Sequence, residues 1–206
     1  MEEEKQVSAE MKKRGMSAGV IALIVVVVLL AILAAAAGAV ISTYNSLVSM
    51  ETAVDAAWAE VENAMQRRMD LIPNLVATAK GYMTHEEKVF TEIADARSRM
   101  LSANTPAEMM EANQFMDRAL AQLLAVSEAY PDLKANTHFT ALMDELSASE
   151  NKLFQERRRY NDAVAAWNVK IKQFPTVIVA SMFGKTERPF FEARPGADEP
   201  PVVSFD

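Results

Sequence analysis

The sequence predicts an all-α protein with an N-terminal transmembrane helix, then an antiparallel four-helix bundle with long helices, then an extended C-terminal tail. Three observations carry this. No charged side chain occurs between Arg14 and Glu51, and Ala18 to Ile41 is almost unbroken Ala, Val, Ile and Leu. Pro73, Pro106, Pro131 and Pro175 divide the chain beyond that run into long segments, in which Gly81 is the only glycine before Pro175. Within those segments apolar residues return at heptad spacing, the pattern of helices that pack along a common seam.

Residues 1–17 read as a cytoplasmic tail and 18–41 as the membrane helix. A hydrocarbon core of roughly 30 Å takes about 20 apolar residues, because a helix satisfies its own backbone where no water is present. Lys12, Lys13 and Arg14 abut the N-terminal end of the span, and the next basic residue is Arg67. The positive-inside rule therefore places the N-terminus inside and the bulk of the chain outside the cytoplasmic membrane. A cleaved secretory signal is the competing reading, with small residues at Ala35, Ala36 and Ala37. Against it, the apolar run continues through Val40 and Ile41, where a cleaved signal would turn polar.

Residues 44–174 are the expected bundle. Proline lacks an amide hydrogen and clashes with the preceding turn, so each proline is assigned to a helix start or the position after an end. Thr105-Pro106-Ala107-Glu108 is a capping-box signature. The helices expected are Tyr44 to Leu71, Pro73 to Ser102, Pro106 to Tyr130, and Asp132 to Phe174. Phe139, Leu146, Leu153, Tyr160, Trp167 and Phe174 recur every seven residues along the last. Leu47, Val54, Val61 and Met65 line the first, Leu75, Tyr82, Val89 and Ile93 the second, and Met109, Met116, Leu120 and Leu123 the third. Short connections make neighbouring helices antiparallel. With no proline between Arg14 and Leu71, the membrane helix is expected to run into the first bundle helix. Residues 175–206 form a proline-containing tail, extended from Gly184 and anchored by Phe190 and Phe191.

Composition narrows function. The N-terminal segment carries four acidic and four basic residues, so the whole net charge of −7 falls on residues 44–206. An acidic exterior excludes a nucleic-acid partner, whose phosphates are neutralised by Lys and Arg. The absence of cysteine removes disulfides, thiol nucleophiles and Cys-based zinc sites. Neither His85 nor His138 follows a Glu by three residues, so the Glu-x-x-His pairs of a di-iron bundle are missing. No Gly-x-Ser-x-Gly elbow occurs. The expectation is a non-enzyme, without catalytic residue, metal or cofactor.

Several ordered motifs remain: Tyr44-Asn45-Ser46-Leu47-Val48, Trp58, Gln66-Arg67-Arg68-Met69-Asp70-Leu71-Ile72-Pro73-Asn74-Leu75-Val76, and Lys80-Gly81-Tyr82 with His85-Glu86. Further along come Tyr130-Pro131-Asp132-Leu133-Lys134-Ala135-Asn136, Phe139, Glu150-Asn151, Arg157, Tyr160-Asn161 and Phe174-Pro175. In these the chain resembles the LemA family of bacterial membrane-anchored proteins along essentially its extramembrane length. The resemblance implies an N-terminal anchor and a helical bundle in the bacterial cytoplasmic membrane. It supplies no enzymatic activity, cofactor or catalytic residue.

Polar residues on the apolar seams are the candidate functional set: Glu51 and Arg68 on the first helix, Glu86 on the second, Asn113 on the third, Glu150 and Arg157 on the fourth. Desolvating a charge costs several kcal/mol unless an opposite charge and hydrogen bonds compensate. The simplest expectation is an internal ion-pair network joining Arg68, Arg157 and the glutamates and setting helix register. A carboxylate-lined pocket for a cation or small ligand is the functional alternative. Gly15 and Gly19 match a membrane-helix contact pattern, although an Ala-rich span produces small-residue pairs by chance. The expected role is a membrane-tethered scaffold or interaction protein, bound to the lipid bilayer through its N-terminal helix and to a protein partner that the sequence does not identify. Self-assembly into a membrane-shaping homo-oligomer and ion or ligand sensing are the alternatives.

Overall fold

The computed structural model describes residues 18–191. The expected cytoplasmic tail, Gly15 and the chain beyond Phe191 lie outside the described residues. These form six helices and no strand: α1 (Ala18–Lys80), α2 (Glu87–Ser102), α3 (Pro106–Ser127), α4 (Pro131–Lys134), α5 (Thr137–Lys172) and α6 (Thr176–Met182). The chain divides into two compact units, Met1–Ser46 and Leu47–Asp206. In the first, every described side chain from Gly19 to Ile41 is exposed, including Leu23 and Leu33 at 64% and 65%. This part of α1 is long and apolar enough to cross a membrane.

The second unit is built on four long helical segments. Ile72, Leu75 and Ala79 of α1, Val89, Phe90, Ile93 and Ala96 of α2, Met116, Leu120 and Leu123 of α3, and Phe139 and Leu146 of α5 share one core, closed by Leu133 of α4. Further along α1 and α5 the buried set continues through Leu47, Val54, Val61 and Met65, and through Leu153, Tyr160, Val164 and Trp167. Trp58 meets Tyr160 edge to face, with ring centroids 5.2 Å apart.

Three boundaries differ from the sequence expectation. Pro73 does not start a helix; it sits inside α1, which continues to Lys80. Proline removes one backbone hydrogen bond but already has a helical φ, and burial of Ile72, Leu75 and Ala79 on either side of it outweighs the loss. The turn comes at Gly81–Glu86, so Tyr82 leaves the core and Met83 enters it, 39% and 1% exposed. The expected last helix is divided by Asn136, whose side-chain oxygen accepts from the backbone N–H groups of His138 and Phe139 and caps α5. At the other end α5 stops at Lys172, and Phe174, placed on the seam by its heptad spacing, is the most exposed large apolar residue among the described residues, at 82%. The residue before a proline is pushed out of the α region, which ends the helix before the pattern ends.

The capping box at Thr105 forms as its local pattern requires. Thr105 Oγ1 accepts from the Glu108 N–H at 3.2 Å, and Glu108 Oε2 accepts from the N–H groups of Asn104 at 2.8 Å and Thr105 at 3.2 Å. Those bonds, Asn104's foremost, hold the Glu108 carboxyl below its ordinary pKa.

Candidate functional site

The six seam residues distribute over four separate groups. Arg68 is at the centre of the most buried one. From α1 its Nη1 meets Asp117 and Asn113 of α3, the latter at 3.4 Å, and Glu150 Oε2 of α5 at 2.9 Å. Asn113 Nδ2 donates to Asp117 Oδ2 at 3.2 Å, so the two α3 side chains, one helical turn apart, brace each other. Arg68, Asn113 and Asp117 are buried, while the Glu150 side chain is one-third exposed. One guanidinium thus ties three helices together at a fixed level. All three contacts converge on the one nitrogen, Nη1, so the position of that charge sets the level at which the helices meet.

Glu51 belongs elsewhere. It accepts from Lys185 Nζ at 2.5 Å and lies 3.6 Å from Arg188 Nη2, which also contacts Asp55 at 3.3 Å. This cluster joins α1 to the segment after α6, beside a shallow cavity of about 440 Å³ bordered by Thr105, Pro106 and Phe183. Glu86, just before α2, accepts from the Tyr130 hydroxyl at 3.0 Å. That bond favours the neutral phenol, and with it the Tyr130 pKa is raised.

Arg157 does not meet Arg68. Its guanidinium stacks 4.4 Å from the centre of the Phe191 ring, a cation–π contact at the C-terminal segment. Around it α5 grips that segment by its backbone. Asn161 donates to Phe191 O at 2.9 Å and accepts from Phe191 N–H at 2.7 Å; Asn168 does the same with Arg188, at 2.9 Å each way. The Tyr160 hydroxyl donates to Pro189 O and Trp167 Nε1 to Thr186 O, both at 2.9 Å. Phe191 is buried beneath these contacts, while Phe190 is nearly half exposed.

Asp117, Glu156, Asn161 and Asn168 escape a reading that scores only the apolar stripe. Their signal is positional. Asp117 is one turn from Asn113, and Asn161 and Asn168 are one heptad apart, each next to a seam aromatic. Glu156 is 1% exposed yet charged, held by Lys152 at 2.5 Å and Arg159 at 3.0 Å. The Lys152 hydrogen bond is the leading cause of a lowered Glu156 pKa, against burial acting the other way.

Among the described residues no three His, Asp or Glu side chains converge as a metal site. Gly19 lies in the first turn of α1. His85 and His138 are both exposed. Chemically the buried groups are ion pairs and amide clamps that fix which segments meet.

Comparison with known proteins identifies the family. Residues 57–205 match the model of the LemA family. "Magnetosome protein MamQ 2" of Paramagnetospirillum magneticum is 24% identical over 190 residues, covering 80% of this chain and 70% of that protein. "Magnetosome protein MamQ" of Magnetospirillum gryphiswaldense has the same identity and coverage. "Protein LemA" of Metamycoplasma hominis is 25% identical over 150 residues, covering 72% of this chain and 68% of the relative. The family model spans well over half of the sequence, from the helix that carries Arg68 to the segment that α5 clamps, and the chain belongs to the LemA family.

Proposed function

We propose that this chain is a non-enzymatic, single-pass scaffold or interaction protein of a bacterial cytoplasmic membrane, displaying an antiparallel bundle of α1, α2, α3 and α5 on the outer side. The observation that carries the reading is the exposure of every described side chain from Gly19 to Ile41 in a run without charge. A continuous apolar surface of that size is costly in water and at rest in hydrocarbon. The orientation follows from Lys12, Lys13 and Arg14. Buried polar groups of the second unit, Arg68, Asp117, Glu156 and Asn168 among them, are engaged in ion pairs and clamps, a composition suited to holding a surface in shape.

The chain has no cysteine, so a single introduced thiol reports topology cleanly. An Ala148→Cys variant of the full chain is expected to resist alkaline extraction from membranes and to react with a membrane-impermeant maleimide in intact spheroplasts. Release by alkali overturns the anchor, and labelling only after lysis overturns the orientation.

A second reading, the membrane-shaping homo-oligomer, draws support from relatives named as magnetosome proteins and from Phe154 and Val169, 66% and 55% exposed on α5. It predicts discrete high-order particles after mild detergent extraction, and monomers at high concentration count against it. Cation sensing at Glu150 and Asp117 is disfavoured, because Arg68 already occupies the space between them.

A further inference from the structure

The short helix α6 has two unlike faces. Thr176, Val179 and Ala180 are buried against the rest of the second unit. Within α6, Val177, Ile178, Ser181 and Met182 follow the i, i+1, i+4, i+5 spacing of one helical face, and all are exposed, Ile178 at 52% and Met182 at 69%; Phe174, just before the helix, is exposed too. Phe183, at 48%, extends the apolar surface at its C-terminal end. Elsewhere exposed large apolar residues of this unit are scattered; here they are contiguous in sequence and aligned on one face.

Charge sets this stretch apart as well. Between Asp162 and Glu187 there is no carboxylate, whereas Lys170, Lys172 and Lys185 fall within it, in a chain of net charge −7; the fold brings Glu187 to Lys172 at 2.8 Å and Glu51 to Lys185 at 2.5 Å. Its position along the covalent chain is equally specific. Lys185, three residues beyond Met182, is bonded to Glu51 at 2.5 Å. Glu51 follows Ile41, the last residue of the apolar run, by only about ten residues, which limits its distance from the membrane boundary to about 36 Å even for fully extended chain. The chain between them thus bounds how far Glu51, and with it Lys185, lies from the end of the apolar run.

We propose that α6 is an interfacial membrane-docking element: the face formed by Val177, Ile178 and Met182 inserts at the headgroup boundary of the outer leaflet, next to the exposed Phe174 and after the lysines that end α5. An apolar helical face with flanking lysines is the pattern that seats a helix in the plane of a lipid surface. The Glu51–Lys185 pair and the Asn168 clamp on Arg188 then transmit that seat to α1 and α5, holding the unit against the membrane by a second attachment. The occupant is lipid, and the inference rests on the membrane-anchored reading above.

The test uses the full-length protein in vesicles of phosphatidylcholine with phosphatidylglycerol. Single variants Val177→Cys, Ile178→Cys and Met182→Cys carry an environment-sensitive fluorophore, and two sets of vesicles carry a quencher either at the acyl boundary or deep in the acyl region. Leu29→Cys reports the anchor and Ala148→Cys the solvated side of α5. Unchanged helicity by circular dichroism qualifies each variant, and three positions on one face guard against the loss of any one. The expected result is loss of about half the emission at positions 178 and 182, as for a probe seated roughly 5–10 Å into the interface, with Ala148→Cys unaffected. Quenching at Leu29→Cys alone overturns the docking face and leaves the anchor standing. No quenching at any position overturns both. Apolar emission at 178 that the lipid quencher does not reach puts a protein surface over the face, a second copy or residues 192–206, and also overturns the proposal.

Discussion

Arg68 illustrates how one residue can dominate a buried site. Its guanidinium compensates Asp117 inside the unit, so removing it strands a carboxylate where hydration is unavailable. Arg68→Ala in the detergent-solubilised full chain is expected to cost about 3–5 kcal/mol in a denaturant titration followed by Trp fluorescence. The double variant Arg68→Met/Asp117→Leu should regain part of that, because the buried Asp117 carboxylate is no longer stranded while Glu150, one-third exposed, and Asn113 still lose their donor; a double variant as unstable as the single one would refute this account of the pair. Glu156 gives a pH signature. Its folded pKa is lowered, chiefly by Lys152, so its contribution is complete above the unfolded carboxyl pKa and is lost as pH falls through the folded value. Glu156→Gln should flatten part of the acid limb of a Tm-against-pH curve while leaving the curve's shape above pH ~6 unchanged. A steeper acid limb in the variant would contradict the sign.

At the scale of elements, local chemistry and tertiary packing compete at recognisable places. Thr105 caps α3 through contacts three residues away, and Thr105→Ala should destabilise by about 1 kcal/mol, measured as a shift in the unfolding midpoint. Pro73 is the opposite case: a proline in an exposed helix interior, with the Met69 carbonyl deprived of its usual donor. Pro73→Ala is therefore expected to raise stability, by about 2 kcal/mol, and a loss on substitution would mean that the proline serves a contact beyond the helix. The capping box was legible because every atom in it belongs to a few neighbouring residues. The continuation of α1 through Pro73 was not, because it depends on what Ile72, Leu75 and Ala79 touch on other helices.

For the whole molecule, the clamp between α5 and the segment ending at Phe191 links distant parts of the chain, with Asn161 and Asn168 each using donor and acceptor on one backbone residue. An amide is the only uncharged side chain able to do both in that geometry. Asn168→Leu should free the segment, read as faster limited proteolysis between Lys185 and Arg188 than in the parent chain; equal cleavage rates would assign the clamp to Trp167 and Tyr160 instead. Replacing Asn168 with Asp retains the acceptor and loses the donor, and should fall between the two.

The all-helical class, the long apolar N-terminal helix and the seam that brings Arg68 and Asn113 inward can be read from the residues in order. These rest on composition and on periods of a few residues, and they follow from backbone geometry alone. The partners come from the packing of distant segments. Heptad spacing says that Arg68, Glu51 and Arg157 face inward, but which group each meets depends on the axial level of helices far apart in sequence. Hence Arg68 found Asp117, Glu51 found Lys185 from beyond α6, and Arg157 found the Phe191 ring. The same limit misplaced Phe174: its spacing is that of a core residue, and its exposure reflects where Pro175 ended the helix.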